Sequence, residues 1–326
     1  SEEPAPQNIV IKRLVSSVNP FNWLKIKRKL KKHNADLVIV KYWLPFMGPC
    51  FGTILRGLKR TNTKVISILD NIIPHEKRMG DNLFTKYFIK PIDGFVTMSE
   101  NVDSDLNQFN TTKPRGNYPH PIFDNFGEHL TQEKAHSNLN LSKESKYILF
   151  FGIIRDYKGL DWLIKAFKES NFNEKNLKLI VAGEAYTDEQ KYRDLIYELD
   201  LKDHIIYHND FVNDSDVKNY FCAADLIAQP YKNATQSGVT QIAYHFEKPM
   251  LVTNVGGLPE MVPHGKAGIV CETNVKSISD GINEFFSANV DYSLGIKKEK
   301  EKYLWSGLTS TIFNLFDTIK ENDNKK

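Results

Sequence analysis

Two cations share a short loop in "YILFFGIIRDYKGLDWLIKAF" (147–167). An apolar run ends at Gly152, Arg155 and Lys158 follow, and a helix-like pattern begins. Two positive side chains so placed suit a diphosphate, the guanidinium as a hydrogen-bonding fork and the ammonium as a point charge. The plain alternative is a pair of solvated surface charges. A second stretch, "QPYKNATQSGVTQIAYHFEKPMLVTNVGGLPE" (229–260), holds small-residue clusters at Ala234 to Thr240 and at Gly256-Gly257. Asn233, Thr235, Ser237 and Gly238 are types that cap helices or let another group approach the backbone. Free amides at a helix N-terminus attract anions, phosphate above all. The plain alternatives here are an ordinary capped helix and a tight turn. In the first third, "VISILDNIIPHEKR" (65–78) puts Asp70 and His75 just past a strand-like run. Both are candidates for lining a cleft, with a capped loop histidine as the alternative for His75.

These residues need strands and helices to hold them. Apolar runs read as strands at 8–14, 35–43, 64–69, 94–98, 147–152, 177–183, 204–208, 225–229 and 249–253. Most are continuous and β-branched, as in parallel strands covered on both faces. Helical patterns between them, such as 158–170 and 214–224, give an α/β alternation with right-handed crossovers. In such open sheets, ligands bind beyond the carboxyl ends of the strands. The polar stretch "LTQEKAHSNLNLSKESK" (130–146) marks a composition shift, after which the strand pattern restarts. The expectation is two Rossmann-like, doubly wound domains facing a cleft: 1–140, with a closing helix near 305–326 packed back on it, and 141–304.

Bulk properties narrow the function classes. The 326 residues suffice for two cores, and 41% hydrophobic with 25% charged content suits a globular protein. A net charge of +3 gives no case for nucleic acid. Cys50, Cys222 and Cys271 are far apart with no CxxC pair, which argues against zinc and fits buried thiols in a reducing cytoplasm. No apolar run approaches membrane-span length. Residues 19–34, "NPFNWLKIKRKLKKHN", pack six cations between Lys25 and Lys32 beside Phe21, Trp23 and Leu24. That pattern fits a solvated helix face or an amphipathic helix on an anionic membrane.

The order "FFG…R..KG…L..AF", "VAGE", "A.DL…P", a small-residue loop and helix, then "KP…T.VGGLPE.V" spans about 147–270 and resembles the C-terminal domain of glycosyltransferase family 4, enzymes of the GT-B fold. The resemblance implies a retaining, metal-independent transferase without a cofactor, using a nucleotide-sugar such as a UDP- or GDP-sugar. The acceptor would be a glycan or lipid-linked sugar, in cell-envelope polysaccharide synthesis, in the cytoplasm or at the inner face of the membrane. It places Arg155, Lys158, Ser237, Gly238, Val239 and Thr240 at the donor diphosphate. It places Gly183, Glu184, Phe211, Val212 and Gln241 around the nucleoside, and Asp70, His75 and Gln236 among the catalytic groups. Pro74, His75 and Glu76 match a family Pro-His-Glu, and Ser99 matches a strand-end serine. Peripheral membrane contact through 20–33 is a further expectation.

Two departures stand out. The family's paired glutamates, eight residues apart, are missing: no Asp or Glu occurs from Leu226 to His245. Gln236 stands nearest the first, and Gln241 stands near the second, where counting back from Lys248-Pro249 gives Ile242. Glutamine hydrogen-bonds hydroxyls but does not stabilise developing positive charge as a carboxylate does. Family members also open with a strand and Gly-rich loop facing the donor, and this chain is expected to start after that unit. Rival readings are a non-catalytic sugar-nucleotide binder and a GT-B epimerase. A nicotinamide oxidoreductase or P-loop NTPase lacks its motif here, since no GxGxxG or GxxxxGK[ST] follows a strand.

Overall fold

A computed structural model describes residues 8–59, 61–74, 78–234, 236–288 and 290–324. Its strands are β1 Leu37–Tyr42, β2 Lys64–Leu69, β3 Gly94–Thr97, β4 Arg115–Asn117, β5 Lys146–Phe151, β6 Leu177–Ala182, β7 Ile205–His208, β8 Leu226–Gln229, β9 Met250–Thr253 and β10 Gly268–Cys271. Its helices are α1 Pro20–Lys32, α2 Gly48–Leu55, α3 Asp81–Ile89, α4 Glu100–Leu106, α5 Gln132–Asn138, α6 Leu160–Glu169, α7 Gln190–Glu198, α8 Asp214–Ala223, α9 Gly238–His245, α10 Leu258–Met261, α11 Val275–Ser287, α12 Ser293–Lys300 and α13 Trp305–Asn324. They form two α/β units, Ser1–Pro121 with Tyr303–Lys326, and Ile122–Lys302.

The first unit is built on a parallel sheet in the order β1-β2-β3-β4. Alternate residues of β2 serve two cores. Val65 and Leu69 pack with Leu55, Phe88, Phe95, Val102 and Leu106, on the side that carries α2, α3 and α4. Ile66 joins Val96 and Met98 against Leu308, Ile312, Leu315, Phe316 and Ile319 of α13. Right-handed crossovers between sequential strands put every connecting helix on one face, so the other face needs a cover from elsewhere in the chain. The C-terminal helix supplies it.

The second unit has six parallel strands in the order β10-β9-β8-β5-β6-β7. The chain moves outward from β5 to β7, then returns to pair β8 on the other side of β5. That reversal opens a crevice between the loops after β5 and β8, the usual ligand position in such sheets. Ile148, Leu149, Phe150, Leu179, Ile180 and Val181 are all buried, which explains continuous apolar runs in place of alternation.

Some expectations change. The run 8–14 forms no strand and its Ile9, Val10 and Ile11 are exposed. The segment that follows is tied instead to α1: Asn22 Nδ2 donates to the Leu14 carbonyl (3.0 Å) and Trp23 Nε1 to that of Ser16 (2.6 Å). The polar stretch 130–146 lies inside the second unit, and the unit boundary falls at Pro121/Ile122. The stretch is polar because α5 is held by side-chain hydrogen bonds, from Gln132 Nε2 to Asp225 (3.1 Å) and between His136 Nε2 and the Ala223 carbonyl (3.0 Å). Two short strands, β4 and β10, were absent from the expected set. The three cysteines are free and buried. Among the described residues no helix is long and apolar enough to cross a membrane.

Candidate functional site

Bare backbone lines the switch point of the second sheet. Gly152, just past β5, has φ +93° and donates its N–H to the Ala182 carbonyl (2.9 Å). Gly183, just past β6, has φ +149°, and a Cβ there would overlap the Gly152 carbonyl. Gly159 has φ +71°, and a Cβ there would overlap the Pro230 carbonyl. The loop after β5 therefore touches the loop after β8 main chain to main chain, and only glycine permits it. Lys232 reinforces the junction: its N–H donates to the Tyr157 carbonyl (2.7 Å) and its ammonium pairs with Asp161 (2.8 Å).

Lys158 points into this junction. Its Nζ lies 3.5 Å from where a Gly152 Cβ would stand and 5.7 Å from the Tyr231 ring centroid. Burial, and then the charge of Arg155, pulls its pKa down to about 8. It makes no hydrogen bond or ion pair with an acid among the described residues. A half-buried ammonium without a counter-charge is costly, and a bound anion would relieve that cost. Arg155 is exposed, its guanidinium 5.6 Å from the centroid of the Tyr186 ring.

The N-terminus of α9 completes one side. Ser237 is its N-cap, and the Oγ accepts from the Val239 N–H (3.2 Å) and pairs with the Tyr231 hydroxyl (3.1 Å). Thr240 donates its hydroxyl to Gln229 Oε1 (3.0 Å). Val239 Cγ2 lies 3.9 Å from the same Gly152 Cβ position as Lys158 Nζ. At Gly238 a Cβ would stand 3.0 Å from the Phe123 ring. So Lys158, Gly152, Gly183, Ser237 and Val239 come together, with the positive end of a helix dipole beside a lysine ammonium. Such an arrangement binds and orients an anion.

The remaining residues separate by element. Gln236 is exposed in the loop before α9. Gln241 is buried within α9, and its Oε1 has no hydrogen-bond partner among the described residues; the same holds for Gln229 Nε2. Glu184 follows Gly183 with an exposed side chain, and its carbonyl accepts from the Ile154 N–H (2.9 Å). Phe211, 70% exposed, and half-buried Val212 lie past β7 on the same carboxyl edge of the sheet. Asp70 belongs to the first unit, where it follows β2 and pairs with Lys41 (3.2 Å). Ser99 there caps α4, accepting from the Val102 N–H (3.3 Å). His75, Glu76 and Thr235 lie outside the described residues.

Two residues gain a place the sequence did not give them. Tyr231 is buried, and burial first of all raises its pKa, so its hydroxyl stays protonated and braces Ser237. Gln229 anchors Thr240. The only signal for Gln229 is its place at the end of a strand-like run, and Tyr231 stands two residues beyond that end.

Comparison with known proteins agrees with this architecture. The family model described as glycosyl transferases group 1 matches residues 131–302, more than half of the chain. An uncharacterized glycosyltransferase of Methanocaldococcus jannaschii is 28% identical over 190 residues, 56% of this chain and 48% of that protein. A D-inositol 3-phosphate glycosyltransferase of Corynebacterium efficiens is 28% identical over 152 residues, 45% of this chain and 35% of that protein. The chain thus matches about half or less of the length of these relatives. Among solved structures, a glycosyltransferase from Rickettsia africae superposes with a TM-score of 0.70 at 18% identity, covering 96% of this chain and 85% of that one. The Anabaena protein HepE, solved in complex with UDP, gives 0.68 at 15% identity, covering 94% and 82%. The fold is that of the GT-B glycosyltransferases. With the family model matched across most of the unit that holds the switch-point crevice, this chain belongs to the glycosyl transferases group 1 family.

Proposed function

We propose that this chain transfers a sugar from a nucleoside diphosphate sugar, a UDP- or GDP-sugar, to a glycan or lipid-linked acceptor with retention of configuration. The observation that carries the reading is the Lys158 ammonium at the switch point, without an acid partner among the described residues, beside Gly152 and the first turn of α9. As the nucleoside diphosphate departs, negative charge grows on its leaving oxygen. Lys158, Arg155 and the amides of Gly238 and Thr240 stabilise that charge without reorganising, which is where such sites contribute most. Gly152 and Gly183 let the phosphates approach the backbone, while Glu184, Phe211 and Val212 border the nucleoside. Gln241 offers its Oε1, unpartnered among the described residues, to a ribose hydroxyl. Gln236 hydrogen-bonds sugar hydroxyls in place of the family's acid, and Asp70 and His75 serve the acceptor. The similar D-inositol 3-phosphate glycosyltransferase of Corynebacterium efficiens supports the reaction class, and HepE in complex with UDP supports the ligand class.

Titration calorimetry of the chain with UDP, GDP and their sugar conjugates, without added metal, tests this. The expected result is one preferred nucleotide whose binding is weakened about tenfold or more in Lys158→Ala. Absence of binding by folded protein would sink the donor site. The second reading, a sugar-nucleotide binder without transfer, is favoured by one observation, the lack of any acid from Leu226 to His245. Binding without sugar release or transfer would select it.

A further inference from the structure

The loops that follow β5, β6 and β7 are joined by one side chain that stands outside the donor contacts. Past the end of β5, Ile154 donates its N–H to the Glu184 carbonyl (2.9 Å), and its own carbonyl accepts from the Tyr186 N–H (3.0 Å). This parallel bridge between Ile154 and Ala185 carries the sheet one step beyond its strands. Both main-chain groups of Ile154 face the loop after β6, so those of Ala185 turn the other way, towards β7. There the ladder has run out. Gly183 donates to the His208 carbonyl (3.1 Å), and β7 ends at that residue. A continued ladder would offer the Asp210 carbonyl to the Ala185 N–H. The Asn209 side chain takes its place, with Oδ1 accepting at 2.8 Å.

The amide of Asn209 has one permitted orientation. A backbone N–H only donates and a carboxylate only accepts, so the oxygen meets Ala185 and the nitrogen meets Glu189. Asn209 Nδ2 donates to Glu189 Oε2. Glu189 Oε1 accepts in turn from Arg193 Nε, one turn further on in α7 (2.5 Å). A second tie lies close by: Asp156 accepts from Lys191 and from the Tyr192 hydroxyl (3.4 Å). Residues with a part in the proposed site hang on this frame. Arg155 stands between Ile154 and Asp156, with its guanidinium 5.6 Å from the centroid of the Tyr186 ring. Glu184 precedes Ala185, and Phe211 follows Asn209 by two residues.

A loop at a sheet edge opens locally at little cost once its hydrogen bonds are lost. Without Asn209 the Ala185 N–H has no acceptor in the protein, and the bridge to Ile154 loosens with it. We propose that Asn209 is a positioning residue for the nucleotide site. Through the Ala185 N–H it fixes the loops after β5 and β6, and so the places of Arg155, Glu184 and Tyr186. The inference rests on the nucleotide-sugar reading of this crevice.

Titration calorimetry with UDP and GDP on variants of Asn209 and Glu189 tests it. Asn209→Ala should weaken binding of the preferred nucleotide about tenfold. Asn209→Asp keeps an acceptor for Ala185 but sets a second carboxylate against Glu189, and should weaken binding about as much at neutral pH. Adding Glu189→Gln to it exchanges the amide and the carboxylate. The new carboxylate then accepts from Ala185 and from the new amide, whose oxygen accepts from Arg193. The double variant should bind within about threefold of the parent, a coupling expected only of groups in direct contact. Hydrogen exchange on ligand-free protein gives a second readout. The Ile154, Ala185 and Tyr186 amides should exchange about tenfold faster in Asn209→Ala, with β5, β6 and β8 protected as in the parent. A folded parent that binds neither nucleotide would overturn the donor reading, and this role with it. A parent that binds, with Asn209→Ala binding equally well, would overturn the positioning role alone. So would a double variant no better than Asn209→Asp. Loss of protection throughout β5 and β6 in Asn209→Ala would overturn it too, by making the residue a support of the whole unit.

Discussion

Lys158 concentrates the electrostatics of the second unit in one atom. Its pKa near 8 lies below the ordinary lysine value because burial disfavours the charged form. Below pH 8 the ammonium is charged and attracts an anion; above it the free protein loses that charge, and binding must pay to restore the proton. Nucleotide affinity is therefore expected to be flat below pH 8 and to fall above it, by up to about tenfold per pH unit. Lys158→Ala should weaken binding at neutral pH by about tenfold to a hundredfold and abolish the break in the profile. Exposed Arg155 should contribute less, so Arg155→Ala costs under about tenfold. An identical profile in parent and Lys158→Ala would remove the lysine from the site. Gln241 allows a second separation. Its buried Oε1 lacks a partner among the described residues, so Gln241→Leu should stabilise the fold by about 1 kcal/mol in urea denaturation while weakening nucleotide binding. Stability gained with affinity unchanged would make the orphan a packing defect. The place of Lys158 on the loop between β5 and α6 was legible in the sequence because a strand-ending glycine and a helix-opening pattern fix it locally. The brace from Tyr231 to Ser237 was not, because it depends on how a loop folds back on itself.

At the scale of elements, long buried strands were easy to read and marginal ones were not. β2 coincides with its apolar run, β5 is shifted from its run by one residue and β6 ends one residue early, since strands covered on both faces leave no polar positions to confuse the pattern. β4, "RGN", and β10, "GIVC", are too short to carry a periodicity, and pairing with β3 and β9 makes them strands. The run 8–14 fails in the opposite way: it has strand composition but, among the described residues, no neighbouring strand to bond. The glycine at the turn between β5 and α6 makes a testable claim about how such elements are joined. Gly159 combines a left-handed φ with a contact that leaves no room for a Cβ against Pro230. Gly159→Ala should destabilise the second unit by about 2–4 kcal/mol, from backbone strain plus displacement of the Pro230 loop, and should weaken nucleotide binding with it. A midpoint in urea equal to that of the parent would show that the two loops separate freely.

For the whole molecule, the chain leaves the first unit after Pro121 and returns at Tyr303, so the first unit depends on its last 24 residues. This is visible in the packing of α13. Gly94 has no Cβ where Ile319 and Leu315 press on β3, Tyr118 donates its hydroxyl to the Leu304 carbonyl (2.8 Å), and five apolar side chains of α13 are buried on the sheet. At about 1.5–3 kcal/mol for each buried side chain, that contact contributes roughly 10 kcal/mol, as much as a whole domain's net stability. Truncation after Lys302 would expose Ile66, Val96 and Met98 together with the loss of their partners. The first unit is then expected to unfold: amides of β2 and β3 should lose hydrogen-exchange protection. The second unit keeps all six strands and both sides of its switch point, so β5, β6 and β8 should stay protected and nucleotide affinity should hold within about threefold. Protection of β2 and β3 surviving the truncation would mean that the sheet does not need α13 as its second layer. Loss of protection throughout would mean instead that the two units unfold as one, and that the donor site cannot be treated as the property of a single unit.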